Sequence, residues 1–189
     1  MRSAFRNMRR LAVALLVVGV AAGGSIGIAA AKSSGDTRAT LADAAQATAR
    51  YHQLGVATTA EYGLLLDKKK IACIAMDDMP EMGAMGIHYV KGSLVADGVI
   101  DAWTPEALVY EPEANGQKRL VALEYVVFQS DWDATHASPP TLFGQEFNFT
   151  PADNRFGLPP FYSLHAWIWK HNPSGMFSMW NPEVSCAAA

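Results

Sequence analysis

Four polar residues stand inside otherwise apolar stretches, and no others in the chain are so well placed to do chemistry. His88 lies in Gly-Ile-His-Tyr-Val, Glu111 in Leu-Val-Tyr-Glu-Pro, Glu124 in Val-Ala-Leu-Glu-Tyr-Val-Val and His165 in Tyr-Ser-Leu-His-Ala-Trp. His171 follows six residues after His165. A carboxylate in the middle of a strand is costly to bury unless it is paired or holds a metal. Two or three imidazoles with one or two carboxylates make a sensible donor set for a divalent transition metal (Zn, Mn, Fe or Cu) on a β-scaffold. The diagnostic HxH and HExxH spacings are missing, so a buried network that holds the sheet in register competes with the metal reading. Three functions remain open on these residues. One is a binding protein for a small molecule or metal, with its site near His88, Glu124 and His165. The others are a metal-dependent enzyme on the same cluster and a structural envelope protein. There is no GxSxG, P-loop or dinucleotide-binding fingerprint.

The second concentration of chemistry is the stretch 156–186, which holds three of the five tryptophans and two of the five histidines. Tyr162, Trp167, Trp169 and Trp180, with Phe177, are candidates for lining an aromatic cleft; core packing is the alternative use of such side chains. The stretch ends at Cys186. The chain has two cysteines, Cys73 and Cys186, and an even count in an exported chain favours a disulfide.

The elements that must position these residues can be read from the pattern. Thr40 to His52 is Ala-rich with apolar residues at helical spacing, and Leu54 to Tyr62 makes a second helix. Strands are expected at Ile71–Ala75 and Gly86–Val90, with an irregular loop over 77–85. Ala107–Glu111 and Leu120–Phe128 flank Asn115-Gly116, a strong hairpin signal. A two-residue turn there makes opposite residue numbers sum to about 231 and puts Glu111 and Glu124 on one side; a five-residue loop shifts the sum by one and parts them. Alternation places Leu120, Ala122, Glu124, Val126 and Phe128 on one face. Residues 130–140 read as a loop and 141–150 as a short strand around Leu142-Phe143. The last strand, Phe161–Trp169, shows Ser163, His165, Trp167 and Trp169 on one face. Helices first and strands later, without βαβ alternation, give an α+β fold: N-terminal helices packed on an antiparallel sheet or partly closed β-barrel.

The ends of the chain bear on compartment. Four arginines and no acid precede the apolar run Leu11–Ala22, and Ala29-Ala30-Ala31 offers a small-residue cleavage site. Residues 1–31 therefore read as a secretory signal peptide, too short in its apolar part to span a membrane comfortably. Residues 32–39 follow as a disordered linker, 40–186 as a single domain and 187–189 as a tail. The full chain carries 15 basic and 18 acidic residues, net −3. Removing the signal takes four positive charges and no negative ones, leaving a net charge of −7. That balance argues against nucleic acid as a partner, and no stable membrane span remains after cleavage.

Met82-Gly83-Ala84-Met85-Gly86-Ile87-His88-Tyr89 resembles the GMGxHY stretch of a group of exported bacterial proteins. The blocks Leu108–Pro112, Val121–Tyr125, Leu164–Pro173 and Asn181–Cys186 look like that group as well. The resemblance spans roughly residues 40–186 and implies an exported single domain. It implies no activity and carries no catalytic residue across.

Overall fold

Residues 39–76 and 78–189 are described in the computed structural model. The signal segment at 1–31 and the linker at 32–39, apart from Ala39, lie outside the described residues. The fold is α+β, with a mostly antiparallel sheet that does not close into a barrel.

The first helix, α1 (Leu41–Thr48), starts at a capping box. Asp43 N–H donates to the Thr40 hydroxyl, and the Thr40 backbone N–H donates to the Asp43 carboxylate. Two of the otherwise orphaned donors at a helix start are thereby satisfied. A 3₁₀ turn (Ala49–His52) continues the helix, and α2 (Leu54–Thr59) follows. Ala44 and Ala57 are fully buried against the sheet; their small side chains let the helical layer approach closely. Three buried tyrosines then fix the layer and its flanking loops. Tyr110 donates to the Tyr51 carbonyl at 2.6 Å, Tyr62 to Pro105 at 2.7 Å and Tyr125 to Ala102 at 2.8 Å. Each ring thus buries its apolar body and still satisfies its hydroxyl.

The main sheet runs β1 (Gly63–Leu64), β3 (Ala84–Val90), β4 (Ala107–Pro112), β5 (Lys118–Phe128), β9 (Phe161–Ala166), β8 (Asn148–Thr150), with β2 (Cys73–Ala75) also paired to β3. The helices cover one face, where Leu108, Tyr110, Leu123, Tyr125 and Leu164 form the main core. The opposite face holds two smaller clusters. Val109, Ala122 and Trp167 pack with Val184 of the C-terminal loop, and Val126 and Phe161 pack with Val95. Val95 ends α3 (Gly92–Val95). Both faces being covered, β4 and β9 are buried along their whole length.

The hairpin uses both of the expected registers. Ala107 pairs with Glu124 and Val109 with Ala122, whereas Tyr110 pairs with Leu120 and Glu111 with Arg119. The shift is a bulge at Val121, whose freed carbonyl accepts the backbone N–H of Trp169 at 3.2 Å. The bulge corrects the expected face of β5: Leu120 joins the helix-side core, while Ala122 lies on the opposite face. The last strand ends at Ala166 rather than Trp169, so Trp169 leaves the face of His165 and packs toward the helices. Residues 129–133 form a short helix, α4 (Gln129–Asp133), where a loop was expected. The single strand expected near Leu142-Phe143 is a small ribbon of β6 (Thr141–Leu142) and β7 (Gln145–Glu146), followed by β8.

Gly86 sits where β3 meets both β2 and β4. It has φ +107°, and a β-carbon there would stand 2.7 Å from the Tyr110 carbonyl oxygen. Only glycine permits that approach without strain. The extra residue this admits shifts the β2–β3 register between Ile74 and Ala75.

Cys73 and Cys186 form a disulfide across a sequence separation of 113, tying the C-terminal loop to β2. Among the described residues no helix is long and apolar enough to cross a membrane. A cross-link closing so long a loop is worth about 4–5 kcal/mol in the chain-entropy account. Thiol labelling of the denatured, unreduced protein should therefore find no free cysteine, and reduction should lower the melting temperature by roughly 10 °C. Two labelled thiols, or an unchanged melting temperature on reduction, would contradict this.

Candidate metal centre

His88, Glu124 and His165 come from β3, β5 and β9, and the register explains how they share a face. His88 pairs with Val109, Glu124 with Ala107, and Glu124 also with His165. Paired residues point the same way, and alternate residues of β4 share a side, so all three project onto the face opposite the helices. In a flat sheet the Cα atoms of β3 and β9, three strands apart, would stand about 14 Å from one another. The curl of the sheet and the reach of the two rings close that gap. On β4, Val109 stands opposite His88 and Ala107 opposite Glu124, and both are fully buried.

The three side chains converge. His88 Nε2 lies 3.4 Å from His165 Nε2 and 3.4 Å from Glu124 Oε2; His165 Nδ1 lies 3.6 Å from Glu124 Oε1. Each residue can offer one donor atom so that all three lie within 4.8 Å of one another. The imidazoles are 2% and 1% exposed, and Glu124 is 12% exposed. The separations from Glu124 exceed ordinary N–H···O bonds, which cluster near 2.9–3.0 Å. Neither Nδ1 of His88 nor Nδ1 of His165 has a hydrogen-bond partner among the described residues.

Burial sets the protonation of the cluster. It pushes both imidazoles down to about 4, with the Glu124 carboxylate partly opposing the shift at His88. It pushes Glu124 up, against the pull of His88 and Ser163. Neutral imidazole is the form that binds metal. Glu106, a second buried acid, is raised to about 8 by desolvation. Its carboxylate accepts the Val126 backbone N–H at 2.9 Å, just beyond the start of β4, and so completes the ladder there. Nothing in its sequence context marked it out, because the role depends on where β4 begins.

A cavity of ≈ 180 Å³, partly open to solvent, lies over the cluster and has His88 and Glu124 in its lining. The other lining residues, including Leu65, Val90, Val126, Phe128 and Phe161, are all apolar or glycine. One wall is the loop carrying Phe156 and Leu158. Asn154 folds that loop by accepting from the backbone N–H groups of both residues. Arg155 anchors it to the buried Asp67 at 2.9 Å and to the Ala75 carbonyl at 3.2 Å. Trp167 closes the other side of His165, stacked at 6.1 Å between ring centroids, with its indole N–H donating to the Ser178 carbonyl.

The remaining candidates lie elsewhere. Glu111 is on the same side of β4 as Ala107 but further along, and it is held by Arg119 at 2.7 Å and Lys170 at 3.0 Å. His171 is exposed, and its carbonyl accepts from Asn181. The four aromatic candidates do not line the cavity over the cluster. Tyr162 is on the helix side, bonded to Asp133; Trp167 is core; Trp169 meets His52 edge-on; and Trp180 lends its carbonyl to Asn172. The lining residues supplied by the 151–160 loop and α3 were missed in the sequence, where nothing links them to β3 or β5. Val126 and Phe128 did carry a signal, since alternation set them beside Glu124. Compared with protein-family models, curated proteins and solved structures, the chain matches none.

The depressed imidazoles predict that the metal-free fold is acid-sensitive. Between pH about 6.5 and about 4 the unfolded chain binds more protons at His88 and His165 than the folded chain does. The contribution of these two groups is therefore full above pH 6.5 and is lost as pH falls toward 4. Melting curves in chelator should shift down by at least roughly 5 °C across that window, and a His88→Asn/His165→Asn variant should shift less. An equal shift in the variant would assign the acid sensitivity to other groups.

Proposed function

We propose that this protein binds one divalent transition-metal ion through His88, Glu124 and His165, with an open coordination position facing the cavity. One observation carries the reading: one donor atom from each of the three side chains lies within 4.8 Å of the others, and His88 Nε2 stands 3.4 Å from both His165 Nε2 and Glu124 Oε2. With metal–nitrogen bonds of about 2.0–2.1 Å, neighbouring ligands of a tetrahedral ion stand about 3.3–3.4 Å apart. A cation shared by all three would take up one ring nitrogen of each imidazole and offset the charge of the Glu124 carboxylate.

Two histidines and one carboxylate are also the donor set of open zinc and iron sites that do catalysis. Among the described residues His88 and Glu124 are the only titratable ones lining the cavity, and both serve as ligands. A hydrolytic reaction would lack a separate general acid or base, which supports binding over acid–base catalysis. The disulfide agrees with an oxidising, exported compartment, where such a binder would work.

Competition with a chromophoric chelator tests the proposal. Wild-type protein should take up one equivalent of zinc. Glu124→Gln keeps the shape of the side chain but removes its charge, and it should weaken zinc binding by at least about 100-fold, beyond the range seen for outer hydrogen-bond partners. Its metal-free fold should melt within a few degrees of wild type. Failure of the wild type to bind, or undiminished binding by Glu124→Gln, would refute the proposal.

A further inference from the structure

We propose that the cavity takes a small apolar monocarboxylate, whose carboxylate completes the coordination of the metal and whose hydrocarbon part packs on the cavity walls. This rests on the metal reading above and assigns its ligand class.

Three features point to that chemistry. The first is where the open position faces. Two of the three ligating residues, His88 and Glu124, line the cavity, whereas His165 sits deeper and is backed by Trp167. A further ligand therefore reaches the ion from the cavity side.

The second is charge. A divalent ion held by two neutral imidazoles and one carboxylate keeps a net charge of +1 within apolar walls. A single carboxylate cancels it, and a low-dielectric setting strengthens that preference over a neutral donor. Among the described residues no lysine or arginine lines the cavity to compete for the anion, and Arg155 in the adjacent loop is engaged by Asp67.

The third is shape and polarity. Val90, Val126, Phe128, Phe156, Leu158 and Phe161 enclose the space and offer no polar side chain to a ligand. A sugar, a nucleotide or a polyol would leave its hydroxyl groups unpaired there. The volume, ≈ 180 Å³, slightly exceeds an apolar cavity of about 150 Å³ known to hold benzene. It fits one ring or a short branched chain with a carboxylate, and excludes a long acyl chain lying fully inside.

Titration calorimetry with benzoate, acetate and benzyl alcohol as probes, on zinc-loaded and chelator-treated protein, tests the assignment. Zinc-loaded protein should bind benzoate at least tenfold more tightly than acetate, because only benzoate fills the cavity. It should bind benzoate at least tenfold more tightly than benzyl alcohol, because only the anion neutralises the centre. Chelator-treated protein should lose at least tenfold in benzoate affinity. If zinc is taken up but benzoate binds no better than acetate, the cavity does not hold the hydrocarbon part. If zinc is taken up but removing it leaves benzoate binding unchanged, the carboxylate is not on the metal. Either result overturns this assignment and leaves the metal reading standing. Failure to take up zinc overturns the metal reading and this assignment together.

Discussion

Taking two imidazoles and a carboxylate out of water on the face of a sheet is costly, and much of that face is arranged around the cost. Trp167, held by its own hydrogen bond, seals one side. The Asn154–Arg155 loop, tied to Asp67, builds the other. The same desolvation that raises Glu124 lowers His88 and His165. The cluster is therefore poorly compensated by itself and well suited to a cation. Had its purpose been only to hold the sheet together, apolar residues of similar size would serve at less cost.

The C-terminal loop depends on the same arrangement. It carries Val184 onto the site face beside Trp167 and returns to β2 through Cys186. Two buried asparagines wind it. Asn172 accepts from Ser174 N–H and donates to the Trp180 carbonyl, while Asn181 accepts from Glu183 N–H and donates to the His171 carbonyl. Asn181 also bridges to Ala84 of β3 through its backbone. Next to that bridge, Gly83 has φ +74°, and any β-carbon there would collide with the Asn181 carbonyl. The glycines of the Met82–Tyr89 stretch thus secure the strand that delivers His88, and they do so by backbone contact.

The convergence of His88, Glu124 and His165 was legible because each breaks an apolar run, and a buried strand tolerates a polar residue only with a partner. The disulfide was legible from the even cysteine count. Glu111 breaks its run in the same way, yet Arg119 and Lys170 satisfy it; a partner beyond the reach of local pattern cannot be read from one strand. The hairpin register could not be settled from Asn115-Gly116, because a bulge at Val121 lets both registers coexist. The aromatic cleft failed for a related reason: the strand stops at Ala166, and Trp169 and Trp180 then follow loop geometry rather than a two-residue period. The cavity was illegible as a whole, since its walls come from segments far apart in sequence.

Whether one ion joins the three side chains can be read from the metal itself. X-ray absorption of the zinc-loaded protein should show a shell of only nitrogen and oxygen at about 2.0–2.1 Å, with outer-shell scattering from two imidazoles. A shell without imidazole scattering, or one containing sulfur, would contradict the account.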